Sequence, residues 1–207
     1  MENKTTNTMI KNRADFYMKF PTHPMDIPIK IDIGAGDKNQ KGKPEDGIPD
    51  TRDEWIHIDG VAADHIEIVC DFAEIPLPDG IADEIFSGDT LEHIRTDLID
   101  KTLKEWNRIT KIGGIFSLRT PNLHSTMVRY AKGDLSLQDA MGAIYGSQDS
   151  MWQQHYVTYT AETLTALLEK YGFGEIDLTG SPGYDPKTQS PNDGWWLVCH
   201  AIKVKNI

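Results

Sequence analysis

The sequence predicts an α/β fold: a doubly wound, mostly parallel sheet of about seven strands with an antiparallel last strand and reduced helices in its front half. Three observations carry that reading. Short β-branched runs alternate with amphipathic helical stretches through the middle of the chain. The chain closes on two apolar runs joined by "GSPGYDPKTQSPNDG", a stretch with no helical period and the composition of a hairpin connection. Finally, 207 residues at 39% hydrophobic content suffice for one domain with a real core.

The first 25 residues, "MENKTTNTMIKNRADFYMKFPTHPM", are polar with scattered apolar positions. They read as a flexible arm, 1–25, without the apolar core of a signal peptide or a membrane span. Residues 26–207 read as a single domain. Its strand candidates are Ile29 to Ile33, Trp55 to Asp59, Ile66 to Cys70, Glu84 to Ser87 and Ile115 to Arg119, each ending at Gly, Asp, Ser or Pro. Glu175 to Thr179 and Trp195 to Val204 complete the set. Between the first two strands, "DKNQKGKPEDGIPDTRDEW" has no apolar period, so a helix there is short or absent. Only "GVAADH" separates the second and third strands, although a parallel crossover needs a dozen or more residues. Either the third strand is vestigial or its crossover helix is missing.

The later helices are better marked. Ile99, Leu103, Trp106 and Ile109 or Thr110 fall at helical spacing, with Gly113 as a stop. Leu164, Leu167, Leu168 and Tyr171 share a second helical face that starts at a Thr160 N-cap, carries Glu162 in its first turn and ends at Gly172.

Composition narrows the partners. A formal charge of -11, with no basic cluster, argues against nucleic acid. Two cysteines, Cys70 and Cys199, each beside strand-like apolar residues, fit core thiols in a reducing, cytoplasmic compartment better than a disulfide framework.

The chemistry concentrates where strands end. "IDIGAGD" places Gly34 and Gly36 directly after the first strand, where a backbone free of Cβ atoms can turn sharply and approach a ligand. A tight turn alone accounts for the pair equally well. A pyrophosphate would want a third glycine and a helix N-terminus, but the third position is Asp37 and the following helix lacks support. Asp32 and Asp37 suit a cationic guest instead. Asp59 closes the second strand 23 residues after Gly36, the place from which a carboxylate meets a ribose diol. Asp71 ends the third segment, where an acceptor can meet an exocyclic adenine amine, with Phe72 free to lie against the ring.

Taken in order, "IDIGAGD", "IHIDG", "CDFAEIPLPDGIADEIFSGDTLEHI" and "RITKIGGIFSLRTPN" resemble the successive motifs of the class I S-adenosylmethionine-dependent methyltransferases over residues 29–120. The run "DTLEHI" resembles the "LEH" signature of many small-molecule members. The resemblance implies a Rossmann-like sheet and S-adenosylmethionine as cofactor, with S-adenosylhomocysteine as product. It also implies roles: Asp32, Gly34, Ala35 and Gly36 at the methionine end, Asp59 at the ribose, Asp71 and Phe72 at the adenine, Gly88 and Asp89 on the amino-group side, with Gly60 a further cofactor-binding residue. The expected reaction is O- or N-methylation of a small molecule or glycan. The competing expectations are an inactive S-adenosylmethionine-binding regulatory or sensor module and, disfavoured by Asp37, a nicotinamide dehydrogenase.

Methyl transfer gains most from alignment of its reacting atoms, worth about 7 to 11 kcal/mol, while a general base adds on the order of 10² to 10⁴ in rate for a hydroxyl acceptor. His93, in "LEHI", and His155, in "QQHYVTY", are the candidate bases, although a helix-terminal residue bonded to backbone and a loop residue packing on Trp152 would read the same way. No metal-ligand spacing is visible among the histidines and cysteines. The long segment 121–160, rich in Met and Tyr, is the expected lid and acceptor site, with Tyr145, Trp152 and Tyr156 as substrate contacts; a helical cap packed on the sheet is the plainer reading for Met127 and Met141.

Overall fold

The computed structural model describes residues 10–21, 23, 27–36, 49, 51, 54–179, 184–185, 190–191 and 194–207. Its elements are α1 (Arg13–Lys19), β1 (Lys30–Ile33), β2 (Trp55–Asp59), β3 (Ile68–Val69), β4 (Ala82–Gly88), α2 (Ile99–Ile109), β5 (Thr110–Pro121), α3 (Leu123–Lys132), α4 (Leu137–Tyr145), α5 (Ala161–Lys170), β6 (Phe173–Asp177), the two-residue β7 (Tyr184–Asp185) and β8 (Ser190–Pro191), and β9 (Trp196–Lys203). Seven strands form one sheet in the order β3-β2-β1-β4-β5-β9-β6. The first five pair in parallel; β9 runs antiparallel to both β5 and β6. This is the Rossmann-like, doubly wound sheet with an antiparallel last strand that the sequence predicts.

Because β1 lies between β2 and β4, the chain winds outward on one side of β1 and returns on the other. The carboxyl ends of β1 and β4 therefore flank a crevice, the usual ligand position in an open α/β sheet. Ser87 Oγ donates to Ile33 O at 3.1 Å, tying the two strand ends together.

The core follows the predicted periodicities. Leu103, Trp106 and Ile109 of α2 are fully buried, and the Phe116 ring of β5 stacks on Phe173 of β6 with centroids 4.4 Å apart. Thr160 and Thr163 form a reciprocal capping box at the start of α5. The expected stop of α2 at Gly113 comes early: the helix ends at Ile109, Thr110 Oγ1 donates back to Trp106 O at 2.6 Å, and the chain enters β5 directly. The third strand is vestigial, reduced to two residues. The stretch 37–48, including Asp37 and the expected weak crossover, lies outside the described residues.

Two expectations need correction. Residues 10–21 and 23 of the supposed flexible arm are packed onto the domain: Ile10, Phe16 and Phe20 belong to the core. Asn12 caps α1, and Arg13 pairs with Asp83 at 2.6 Å. Phe16 and Phe20, one helical turn apart, explain the attachment, because together they bury an apolar stripe that the polar surroundings conceal. In the segment 121–160, α3 and α4 form a helical cap, but Met127 and Met141 are exposed instead of packing on the sheet. Cys70 and Cys199 are both free. No helix among the described residues is long and apolar enough to cross a membrane.

Candidate active site

Two cavities open at the carboxyl ends of the parallel strands. The smaller, of about 410 Å³, is lined by Gly34, Gly36, Asp59, Gly60, Phe72, Gly88, Asp89 and Thr90, with Trp152 and His93 over it. The larger, of about 930 Å³, lies under α4 and the following loop. Asp89, His93 and Gln153 line both, so they mark the junction.

The glycine turn makes the first cavity possible. Gly34 has φ +77°, and a Cβ there would lie 2.1 Å from Thr90 Oγ1. Only glycine lets the end of β1 sit this close to the end of β4. Asp59 is held across the turn: its Oδ2 accepts from Gly36 N at 3.0 Å and its Oδ1 from Val61 N at 2.8 Å. Each oxygen retains a lone pair that faces no described donor, an arrangement suited to a diol. Trp152 passes over Gly60, with a ring carbon 3.9 Å from where a Cβ would stand.

Asp32 and Ala35 lie deeper, lining a pit of about 20 Å³ together with Thr51, Phe86 and Arg119. Burial pushes the Asp32 carboxyl up to about 6, opposed by a hydrogen bond from Thr51 and by His57. Asp89 takes a left-handed φ of 51°, and its carboxylate is gripped by both ends of the Arg119 guanidinium, with Nε at 3.0 Å from Oδ1. Arg119 in turn lies over the Trp196 ring, 4.3 Å from its centroid. Asp89 is thus a fixed, neutralised carboxylate.

On the larger cavity, Glu92 and His93 occupy a single 3₁₀ turn, Leu91–His93. His155 arrives from the far side of the α4 loop, and its ring meets His93 with centroids 4.7 Å apart. His93 Nδ1 donates to Gln154 O at 3.0 Å and His155 Nδ1 to Ala143 O at 3.1 Å. Since a carbonyl only accepts, both rings are set in the tautomer whose Nε2 carries the lone pair. Burial pulls both imidazoles below their ordinary range, against the opposing carbonyls, so both favour the neutral form near pH 7. Glu92 is 1% exposed; burial pushes its carboxyl up to about 7, against hydrogen bonds from its own N–H and from Thr120 Oγ1 at 3.0 Å.

Most of the residues singled out in sequence converge here, and the exceptions are informative. Asp71 is exposed and lines neither cavity; its Oδ1 accepts from Ala73 N at 2.8 Å, closing the turn after β3. Tyr145 lines the larger cavity, whereas Trp152 covers the smaller one. Tyr156 lines neither, and its N–H donates to Glu92 O at 2.8 Å, anchoring the His155 loop. The absence of metal-ligand spacing along the chain did not survive folding, since Glu92, His93 and His155 offer ligand atoms within 4.8 Å of one another. Thr90, Glu92, Arg119 and Trp196 were not singled out. Of these, Glu92 had a local signal, as the middle residue of the "LEH" run.

Residues 51–118 match the family model described as a methyltransferase domain. No curated protein sequence matches the chain. Among solved structures, the fold is similar to a SAM-dependent methyltransferase from Archaeoglobus fulgidus, with 16% identity, 91% of each chain covered and a TM-score of 0.52. It is also similar to the 1,6-didemethyltoxoflavin N1-methyltransferase of Burkholderia thailandensis, solved with S-adenosylhomocysteine, at 16% identity over 97% of this chain and 80% of that one, TM-score 0.55. A third similar structure is a possible histamine N-methyltransferase from Thermotoga maritima, at 15% identity over 90% of this chain and 89% of that one, TM-score 0.53.

Proposed function

We propose that this class I, S-adenosylmethionine-dependent methyltransferase methylates an oxygen or nitrogen of a small-molecule or glycan acceptor. The observation that supports this reading is the junction: a nucleoside-sized cavity and an acceptor-sized cavity meet at Asp89, His93 and Gln153. A module that only binds the nucleoside has no use for the second space. The similar 1,6-didemethyltoxoflavin N1-methyltransferase and possible histamine N-methyltransferase, both named for small-molecule acceptors, point the same way.

The smaller cavity fits the cofactor. Its floor is backbone at Gly34, Gly36, Gly60 and Gly88, where a ligand can approach without side-chain obstruction. Asp59 is oriented for a ribose diol, and Phe72 and Trp152 offer flat apolar faces for a purine. Asp32, in the adjoining pit, supplies negative charge near the cationic end. S-adenosylmethionine, when bound, supplies an electrophilic methyl group on a sulfonium. The chain's task is then to bring the acceptor atom to the junction, exclude water there and receive or release the acceptor's proton. Nε2 of His93 and of His155, neutral and unprotonated near pH 7, are suited to that last step. Tyr145 and Met141 give the larger cavity adaptable apolar walls. The reaction fits the cytoplasm, where Cys70 and Cys199 stay reduced.

Calorimetric titration with S-adenosylmethionine and S-adenosylhomocysteine, followed by a labelled-methyl screen across sugars, phenols and amines, tests the proposal. Binding of both nucleosides and transfer to one acceptor class is the expected result. Binding without transfer to any class would remove the acceptor assignment.

A further inference from the structure

We propose that Glu92, His93 and His155 form a site for one divalent first-row transition-metal ion on the acceptor side of the junction. The three residues come from two separate loops, and each offers one ligand atom within 4.8 Å of the others. Around an ion bound at about 2.0 to 2.2 Å, ligand atoms lie roughly 3 to 4 Å apart, so small side-chain rotations close this set on an ion. Two imidazoles and a carboxylate with open positions are a donor set for ions such as zinc, manganese, iron or cobalt.

The surroundings are built as those of a metal site are. Each imidazole is oriented from behind by an Nδ1–H bond to a backbone carbonyl, leaving Nε2 as the donor. Glu92 is buried, yet among the described residues no lysine or arginine pairs with it; its partners are the Thr120 hydroxyl and its own N–H. A buried carboxylate without a countercharge is what a bound cation would complete. The Tyr159 hydroxyl is buried and has no hydrogen-bond partner among the described residues. Asp89, three residues before Glu92, is excluded from the set because Arg119 already holds it.

The loop that delivers His155 is shaped for that delivery. Gly146 has φ +74°, and a Cβ there would lie 1.9 Å from Gln153 O and 3.0 Å from His155 Cδ2. His155 N also donates to Tyr145 O at 3.0 Å. Use of the ion rests on the reading above, in which the larger cavity receives the acceptor; there it would bind the acceptor's heteroatom in place of a proton-accepting histidine. Its binding does not depend on that reading.

The test is titration of chelator-stripped full chain with Co²⁺, followed by visible absorption and calorimetry, with S-adenosylhomocysteine titrated into the same samples. The expected result is one Co²⁺ per chain with d–d bands, weakened at least tenfold by Glu92→Gln and by His155→Ala, roughly the loss seen when a supporting or ligating group is removed. Thermal melts and retained nucleoside binding show that the variants are folded. Absent Co²⁺ binding in the wild type, or binding unchanged in both folded variants, overturns the metal site. Co²⁺ binding without S-adenosylhomocysteine binding leaves the metal site standing and removes the methyltransferase reading of the neighbouring cavity.

Discussion

His93 and His155 meet edge to face, their ring centroids 4.7 Å apart and their planes at 77°, although one closes the turn after β4 and the other the loop after α4. Both keep Nε2 as the lone-pair nitrogen because both Nδ1 atoms are committed to carbonyls. On the proposed reading, in which they pass a proton or hold an ion, the pair acts on the acceptor as a unit.

Groups that act as a unit do not add on removal. His93→Ala and His155→Ala should each lower methyl transfer by about 10² to 10⁴, and the double variant should lose little more than the worse single one. Initial rates with the acceptor found by screening decide it. A double variant whose loss is the product of the singles would mean independent roles.

Asp59→Ala should weaken S-adenosylhomocysteine binding by about 1 to 3 kcal/mol, since a diol loses its charged acceptor and Gly36 N loses the oxygen that positions the turn. Calorimetry reads the change. Unaltered affinity would detach Asp59 from the ribose.

Much of this site was legible before folding because it is local. Strand, glycine turn and carboxylate follow one another along the chain at β1 and β2, so order and spacing drew attention to Gly34, Gly36 and Asp59, and the family resemblance suggested their roles. What escaped was convergence across distance. Arg119 reaches Asp89 only because β5 lies beside β4, and His155 reaches Glu92 only through the packing of α4. Asp71 shows the limit of a local reading: acids at strand ends also cap turns, as its bond to Ala73 N illustrates. The helix at 13–19 was hidden because only Phe16 and Phe20, within and beside it, together with Ile10, carry its apolar signal.

Phe16→Ala should destabilise the fold by about 3 to 5 kcal/mol, the cost of emptying a fully buried aromatic site. A loose arm would give a change within about 0.5 kcal/mol. Urea unfolding separates the two.

Gly34→Ala and Gly133→Ala form a matched pair. Both glycines have positive φ, 77° and 81°, so each substitution should cost on the order of 1 to 3 kcal/mol in backbone strain. Only at Gly34 does the new methyl collide, with Thr90, whereas Gly133 has nothing within 4 Å. Gly34→Ala should therefore abolish S-adenosylhomocysteine binding while Gly133→Ala keeps it. Equal affinities in calorimetry would mean that the approach of β1 to β4 does not shape the cavity.

Asp32 gives the protein a dependence on pH whose sign is set by burial. Its carboxyl is raised from 3.8 to about 6, mainly by desolvation, with nearby Asp59 adding to the rise and Thr51 and His57 opposing it. The folded state therefore holds this proton more tightly than the unfolded chain does. Below about pH 4 both states are protonated and the group is neutral in its effect; between about pH 4 and 6 stability falls as pH rises, by about 3 kcal/mol in all, and then levels off. Asp32→Asn should remove that share of the slope and be the more stable protein at pH 7. A cationic guest near the first turn favours the ionised carboxylate, so saturating S-adenosylmethionine should flatten the wild-type slope and leave the variant unaffected. Denaturant unfolding at half-unit pH steps measures both effects. A variant that tracks the wild type across this window would mean that Asp32 is not desolvated beneath the glycine turn.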